Sequence, residues 1–163
     1  MPFGAYVFDA YGTLFDVHAA VRQHAATIGQ GSQRLSDIWR TKQLEYTWVR
    51  TLAGRYRDFW QLTEDALDFA IAVAAPDAAS LKPDLLEAYR ELDAYPEVRS
   101  VLGRLKPDAK LAILSNGSPE MLENAVRSAG IGDLLDAVLS VDDLSLYKTR
   151  PEAYQLAVNR LGV

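Results

Sequence analysis

The 163-residue sequence has no cysteine and only two histidines, His18 and His24. The missing thiols exclude disulfides, thiolate nucleophiles and cysteine-held metals together. Two histidines that match no ligand spacing argue against a histidine-held metal, and they read as surface or cap residues. No apolar run reaches the roughly 18 residues a membrane-spanning helix needs. Positive charge is also scarce: 17 basic against 22 acidic side chains give a net charge of −5. With no dense basic patch, that balance argues against nucleic acid or an anionic membrane as a partner. The start, Met1-Pro2-Phe3-Gly4, lacks the basic and apolar stretches of a secretory signal. The expectation is a soluble, cytoplasmic α/β protein. Hydrophobic content of 49% and charged content of 24% match globular averages, which excludes wholesale disorder.

What is present is a set of short apolar runs that stop at polar residues. Ala5-Tyr-Val-Phe-Asp9 ends in a carboxylate, and Gly12 then breaks the pattern. Lys110-Leu-Ala-Ile-Leu-Ser-Asn-Gly117 and Ala137-Val-Leu-Ser-Val141 behave alike, the latter halting at Asp142-Asp143. Continuous apolar runs, rather than alternating ones, suit strands covered on both faces. Three such strands predict one parallel sheet with a site along its carboxyl edge.

The long stretch between the first and second strands reads as helix. Leu44, Trp48 and Leu52 recur at four-residue spacing, with Trp39, Tyr46 and Val49 on adjoining faces. Thr63 ahead of Glu64 and Asp65 predicts a helix start, and Leu67, Ala70, Ile71 and Ala74 form that helix's apolar face. Leu85, Leu86, Tyr89 and Leu92 outline another segment. An insertion this large is expected to be a helical cap over the sheet edge. Beyond the second strand, Pro119 opens a helix that Gly130 closes. A last helix from Pro151 carries Tyr154, Ala157, Val158 and Leu161. The expected fold is α/β: a Rossmann-like parallel sheet core, residues 1–15 and 96–163, with a helical cap at 16–95 inserted after strand one.

Asp9 is the first chemical candidate. At a strand end beside a glycine turn, a carboxylate can serve as nucleophile, base or metal ligand, or simply cap the turn. Ser115-Asn116 closes the second strand with a hydroxyl, an amide and backbone N–H groups, and Lys148 follows the third. Arg40 shares a helical face with Leu44. A carboxylate, a hydroxyl–amide pair and a cation at successive strand ends form an α/β active-site layout.

Phe8-Asp-Ala-Tyr-Gly-Thr-Leu-Phe-Asp16 resembles the first motif of the haloacid dehalogenase superfamily. Ile113-Leu-Ser-Asn-Gly-Ser-Pro119 resembles the second, and Tyr147-Lys148 with Pro151 and Tyr154 the third. Trp39-Arg-Thr-Lys-Gln-Leu-Glu-Tyr-Thr-Trp48 is similar to the cap helix of the type II L-2-haloacid dehalogenases within it. Tyr11 separates the chemistries. Phosphatases of the superfamily carry a second Asp there to protonate a departing alkoxide, and they hold Mg²⁺. A halide leaves without a proton, so Tyr is compatible with dehalogenation and crippling for phosphate ester hydrolysis.

The resemblance implies hydrolysis of short (S)-2-haloalkanoic acids to (R)-2-hydroxy acids through an ester on Asp9, without metal or cofactor. Lys148 is expected to hold Asp9 ionised and Thr13 to orient it. Arg40 is expected to receive the halide, a role that suits a guanidinium. Ser115 and Asn116 would grip the substrate carboxylate, and Tyr11, Leu44 and Phe59 would wall an apolar pocket. Tyr154 joins the catalytic set through the third motif. The resemblance further implies a homodimer through the cap helices.

Three departures stand out. Thr41 replaces the usual Gln after Arg40, and Thr149 replaces a Pro common after the lysine. Family members also continue with a fourth strand beside the first, bearing a further motif. The expectation is therefore that the family's C-terminal portion is absent here, which leaves strand one at an edge. The alternatives are a phosphatase-like hydrolase of the same superfamily, or an inactive truncated remnant acting as a structural or binding module.

Overall fold

The computed structural model describes residues 3–163. In chain order the principal elements are β1 (Ala5–Phe8), α1 (Ala19–Gln23), α2 (Ala25–Ile28), α3 (Ser32–Ala53), α4 (Phe59–Ala74) and α5 (Lys82–Arg90). They continue with α6 (Val98–Leu105), β2 (Lys110–Ser115), α7 (Pro119–Ala129), β3 (Ala137–Ser140) and α8 (Pro151–Leu161). The chain divides into two compact units, one comprising residues up to Asp16 with Asp93–Val163, the other Val17–Leu92.

The first unit is an α/β layer built on a parallel sheet in the order β1-β2-β3. Its central strand explains the unbroken apolar run: Leu111, Ala112, Ile113 and Leu114 are all buried, as a strand covered on both faces requires. Each large aliphatic side chain so buried contributes about 1.5–3 kcal/mol. Register places Phe8 opposite Ile113 and Ser115 opposite Ser140, so the polar ends of β2 and β3 finish side by side. Asp136 locks that register just before β3. Its amide donates to the Leu111 carbonyl at 2.7 Å, while its carboxylate accepts the Leu111 N–H at 2.7 Å.

The boundaries of α7 follow from its ends. Ser118 caps it by accepting the Met121 N–H, Pro119 occupies the first turn, and Gly130 stops it in the left-handed conformation at φ 61°. The face of α8 is not the expected one. Ala153, Ala157 and Leu161 are buried, the first two packed with Leu114, Leu139 and Val141, whereas Tyr154 and Val158 face outward. Small alanines are what allow this helix to approach the sheet closely.

The second unit is helical and lies, in sequence, between β1 and β2. Here two expectations are corrected. The buried stripe of α3 is Leu35, Trp39, Gln43 and Thr47, while Trp48 and Leu52 are 52% and 89% exposed. Hydrophobicity misled because the polar groups on the buried stripe have partners. Gln43 donates to the Thr63 hydroxyl at 3.0 Å and Trp39 Nε1 to the Thr63 carbonyl at 2.9 Å. Tyr89 of α5 donates to Gln43 Oε1 at 3.4 Å. Thr63 is accordingly no helix start. It lies inside α4, its hydroxyl donating to the Phe59 carbonyl, and the helix begins at Phe59 with Asp58 accepting the Gln61 N–H. Leu67, Ala70 and Ile71 are buried as expected. No helix among the described residues is long and apolar enough to cross a membrane.

Candidate active site

Asp9 directly follows β1 and precedes a tight turn. The Ala10 carbonyl accepts the N–H groups of Thr13, Leu14 and Phe15, and Gly12 closes the turn at φ 91°, a value side chains rarely tolerate. The turn stops the strand and leaves the Asp9 carboxylate 40% exposed at the sheet's carboxyl end.

Lys148 reaches it from the loop after β3. Its Nζ donates to Asp9 Oδ1 at 2.6 Å and to the Leu114 carbonyl at 2.8 Å, closing a separation of 139 residues. The lysine side chain is 17% exposed, and two acceptors fix the direction of its ammonium, so the pair is more than a mobile surface contact. Only Oδ1 is engaged by the lysine, which leaves Oδ2 without a lysine contact.

The loop carrying Lys148 is itself anchored. Asn116 Oδ1 accepts the Lys148 backbone N–H at 2.8 Å. That bond orients the amide so that its NH₂ group is turned from the loop, presenting a donor suited to an anion. Ser115, almost fully buried, accepts the Gly117 N–H at 3.1 Å, an arrangement that keeps its own O–H available as a donor. Ser140 donates to the Gly117 carbonyl at 2.6 Å and accepts the Asp142 N–H at 3.1 Å. The segment after β2 is therefore clipped by Ser140 of β3 and by the loop carrying Lys148, and the positive end of the α7 dipole lies just beyond it.

Sequence reasoning missed Ser140. The available signal was a second serine at a strand end, but its pairing with Ser115 depends on a register that only the sheet reveals. Of the expected residues, the structure brings Asp9, Lys148, Ser115 and Asn116 into one hydrogen-bonded strand-end cluster through Leu114, Gly117 and Lys148 backbone groups. Tyr11 is buried, its ring 6.0 Å from that of Phe15 between centroids. Thr13 is exposed on the turn, tied to it through its amide rather than through a bond from its hydroxyl to Asp9. Tyr154 is 50% exposed on the first turn of α8 and makes no hydrogen bond to the Asp9–Lys148 pair. Arg40, Leu44 and Phe59 belong to the helical unit. Arg40 and Leu44 are half-buried on α3, and Phe59 is buried at the start of α4.

A carboxylate with one oxygen held by lysine, beside a hydroxyl, an amide and a helix N-terminus, is the strand-end layout of an α/β hydrolase. The likeness to known proteins bears on the same class. A family model for haloacid dehalogenase-like hydrolases matches residues 3–163, and the chain belongs to that family. It is 51% identical over 164 residues to (S)-2-haloacid dehalogenase 1 of Pseudomonas sp. (strain CBS-3), covering 99% of this chain and 72% of that protein. A crystal structure of a dehalogenase with an intermediate complex superposes with a TM-score of 0.95 at 48% identity, covering 99% of this chain and 73% of the other. The L-2-haloacid dehalogenase of Xanthobacter autotrophicus, solved with chloropropionic acid covalently bound, superposes with a TM-score of 0.88 at 42% identity, covering 98% and 65%.

Proposed function

We propose that the protein is an (S)-2-haloacid dehalogenase, hydrolysing the carbon–halogen bond of short 2-haloalkanoic acids. The observation that carries this reading is the one-sided grip of Lys148 on Asp9 Oδ1, with Tyr11 standing where a phosphatase needs a proton donor. The free oxygen, Oδ2, attacks the halogen-bearing carbon from behind. The halide leaves with the bonding electron pair, the centre inverts, and an ester joins Asp9 to the substrate. Water then adds to the Asp9 carbonyl carbon. The negative charge develops on Oδ1, where the Lys148 ammonium already lies at hydrogen-bond distance, so the stabilising charge need not reorganise. Collapse breaks the bond between the carbonyl carbon and Oδ2. One water proton passes to the departing alkoxide and the other to solvent, giving the (R)-2-hydroxy acid.

Ser115 and the Asn116 amide, with the α7 N-terminus, supply donors for the substrate carboxylate in this reading. Arg40 receives the halide, Thr13 and Tyr154 complete the catalytic set, and Tyr11, Leu44 and Phe59 wall the alkyl pocket, on the strength of the sequence motifs around them. The reading includes a cytoplasmic location and a homodimer. For the dimer, the support is the apolar strip of Trp48, Val49 and Leu52 left exposed along α3.

The test is halide release from racemic 2-chloropropionate in the presence of a chelator, consuming only the S enantiomer and abolished in Asp9→Asn. Phosphate release from a general phosphomonoester that depends on added Mg²⁺, without halide release, would overturn the proposal.

A further inference from the structure

Gly117 has no positive φ and stops no helix, yet its side of the backbone admits no side chain. A Cβ placed there would lie 2.7 Å from Tyr11 Cε2, 3.4 Å from Ser115 Oγ and 3.6 Å from Leu122 Cδ2. Only the first distance is prohibitive, since ordinary carbon contacts begin near 3.5 Å. The edge of the Tyr11 ring therefore rests directly on the Gly117 backbone at the end of β2.

Which partner yields when a methyl is added is decided by the hydrogen bonds. The Gly117 N–H is held by Ser115 Oγ at 3.1 Å, and its carbonyl accepts from Ser140 Oγ at 2.6 Å. Both serines are buried, so the backbone is pinned on both sides and cannot withdraw cheaply. The ring is the movable element, and it needs a shift of about 1 Å to regain ordinary contact. The ring also neighbours Phe15, fully buried in the turn, at 6.0 Å between centroids. Tyr11 is itself buried, so a methyl on Gly117 forces the ring against its packed surroundings at the strand end that Ser115 and Asn116 close.

We infer that Gly117 is a specificity-determining residue: by letting the Tyr11 ring rest on the strand end, it sets the width of the pocket for the substrate's alkyl group. This inference rests on the dehalogenase reading and assigns Gly117 no contact with the reacting atoms. A pocket wall moved by about 1 Å discriminates at the level of one added carbon, for which differences of about 10-fold upward are usual.

The experiment compares kcat/KM for chloroacetate and 2-chlorobutanoate in the wild type and in Gly117→Ala. The expected result is a roughly 10-fold change in the butanoate-to-acetate ratio, with chloroacetate turnover within about threefold of wild type. A crystal structure of the variant should show the Tyr11 ring moved from its wild-type place against Gly117. An unchanged ratio, an equal loss on both acids, or an unmoved ring overturns the inference while leaving dehalogenation standing. A wild-type protein that releases halide from neither acid overturns the underlying reading and this one with it.

Discussion

Replacing Lys148 with Met keeps the length of the side chain and removes its charge. The geometry sets what should be lost. At 2.6 Å and an effective dielectric of about 20, the gross attraction between the ammonium and a charge on Asp9 Oδ1 is about 6 kcal/mol. Asp9 is 40% exposed, so water screens a large part, and roughly half of that figure is a reasonable net. The result, about 3 kcal/mol, matches the loss on deleting a single oxyanion donor and corresponds to about 100-fold in rate. The two chemical steps should not suffer equally. Attack by Oδ2 moves charge away from Asp9 toward the halide, whereas hydrolysis builds charge on Oδ1 itself. Ester hydrolysis should therefore slow more than alkylation. Rapid-quench measurement of halide should show a burst of one equivalent per active site, followed by a steady state slowed about 100-fold. Intact mass should show Asp9 carrying the substrate acyl chain through the burst. A variant with wild-type steady-state turnover would refute the reasoning. So would a loss of turnover with neither burst nor adduct, since that outcome places the role of Lys148 entirely in the first step.

Other expectations are independent of that one. Thr63→Val removes the hydroxyl that receives Gln43 and should destabilise the protein by about 1–3 kcal/mol in urea denaturation, the cost of a buried donor left unpaired; stability within experimental scatter of wild type would count against the buried network. The Lys106 ammonium, and after it the Leu111 N–H, hold the Asp136 carboxyl below the usual range. Its stabilising effect is thus present above the ordinary carboxylate pKa of about 3.9 and is lost as pH falls through the lower folded value. The stability gap between wild type and Asp136→Asn should hold at neutral pH and close in strong acid, and a gap independent of pH would contradict the assignment. Leu52→Glu, at an 89% exposed site, should shift the sedimentation profile toward monomer at micromolar concentration while leaving the melting of the helical unit intact; an unchanged profile removes the α3 strip from the interface.

Much of the layout was legible because it depends on neighbours in the chain. Continuous apolar runs that end at Asp9, at Ser115-Asn116 and at the residues after β3 define parallel strands, but the expected burial on both faces holds only for β2, since Val7 of β1 and Val138 of β3 are 43% and 40% exposed. Ser118-Pro119 and Gly130 mark a helix's two ends by backbone chemistry alone. The same local logic failed on α3. Leu44, Trp48 and Leu52 are the more apolar row, but Gln43 and Thr47 are buried in their place. Composition ranks side chains by transfer from water, while burial of Gln43 depends on Thr63 and Tyr89 arriving from other helices to satisfy its amide. Thr63 misled for the same reason: its hydroxyl, suited to a cap, instead bonds back one turn and receives Gln43.

By itself, then, the sequence determined a parallel α/β arrangement and which carboxylate, hydroxyl, amide and lysine stand at strand ends, since each is a property of short-range periodicity and turn chemistry. Only the tertiary structure decided that Lys148 grips one oxygen of Asp9 and the Leu114 carbonyl, that Asn116 anchors the lysine's loop, and that Gly117 lies beneath the Tyr11 ring. Those are contacts between segments far apart in the chain. Their distances follow from sheet register and close approach of backbones, which no local pattern of residues encodes.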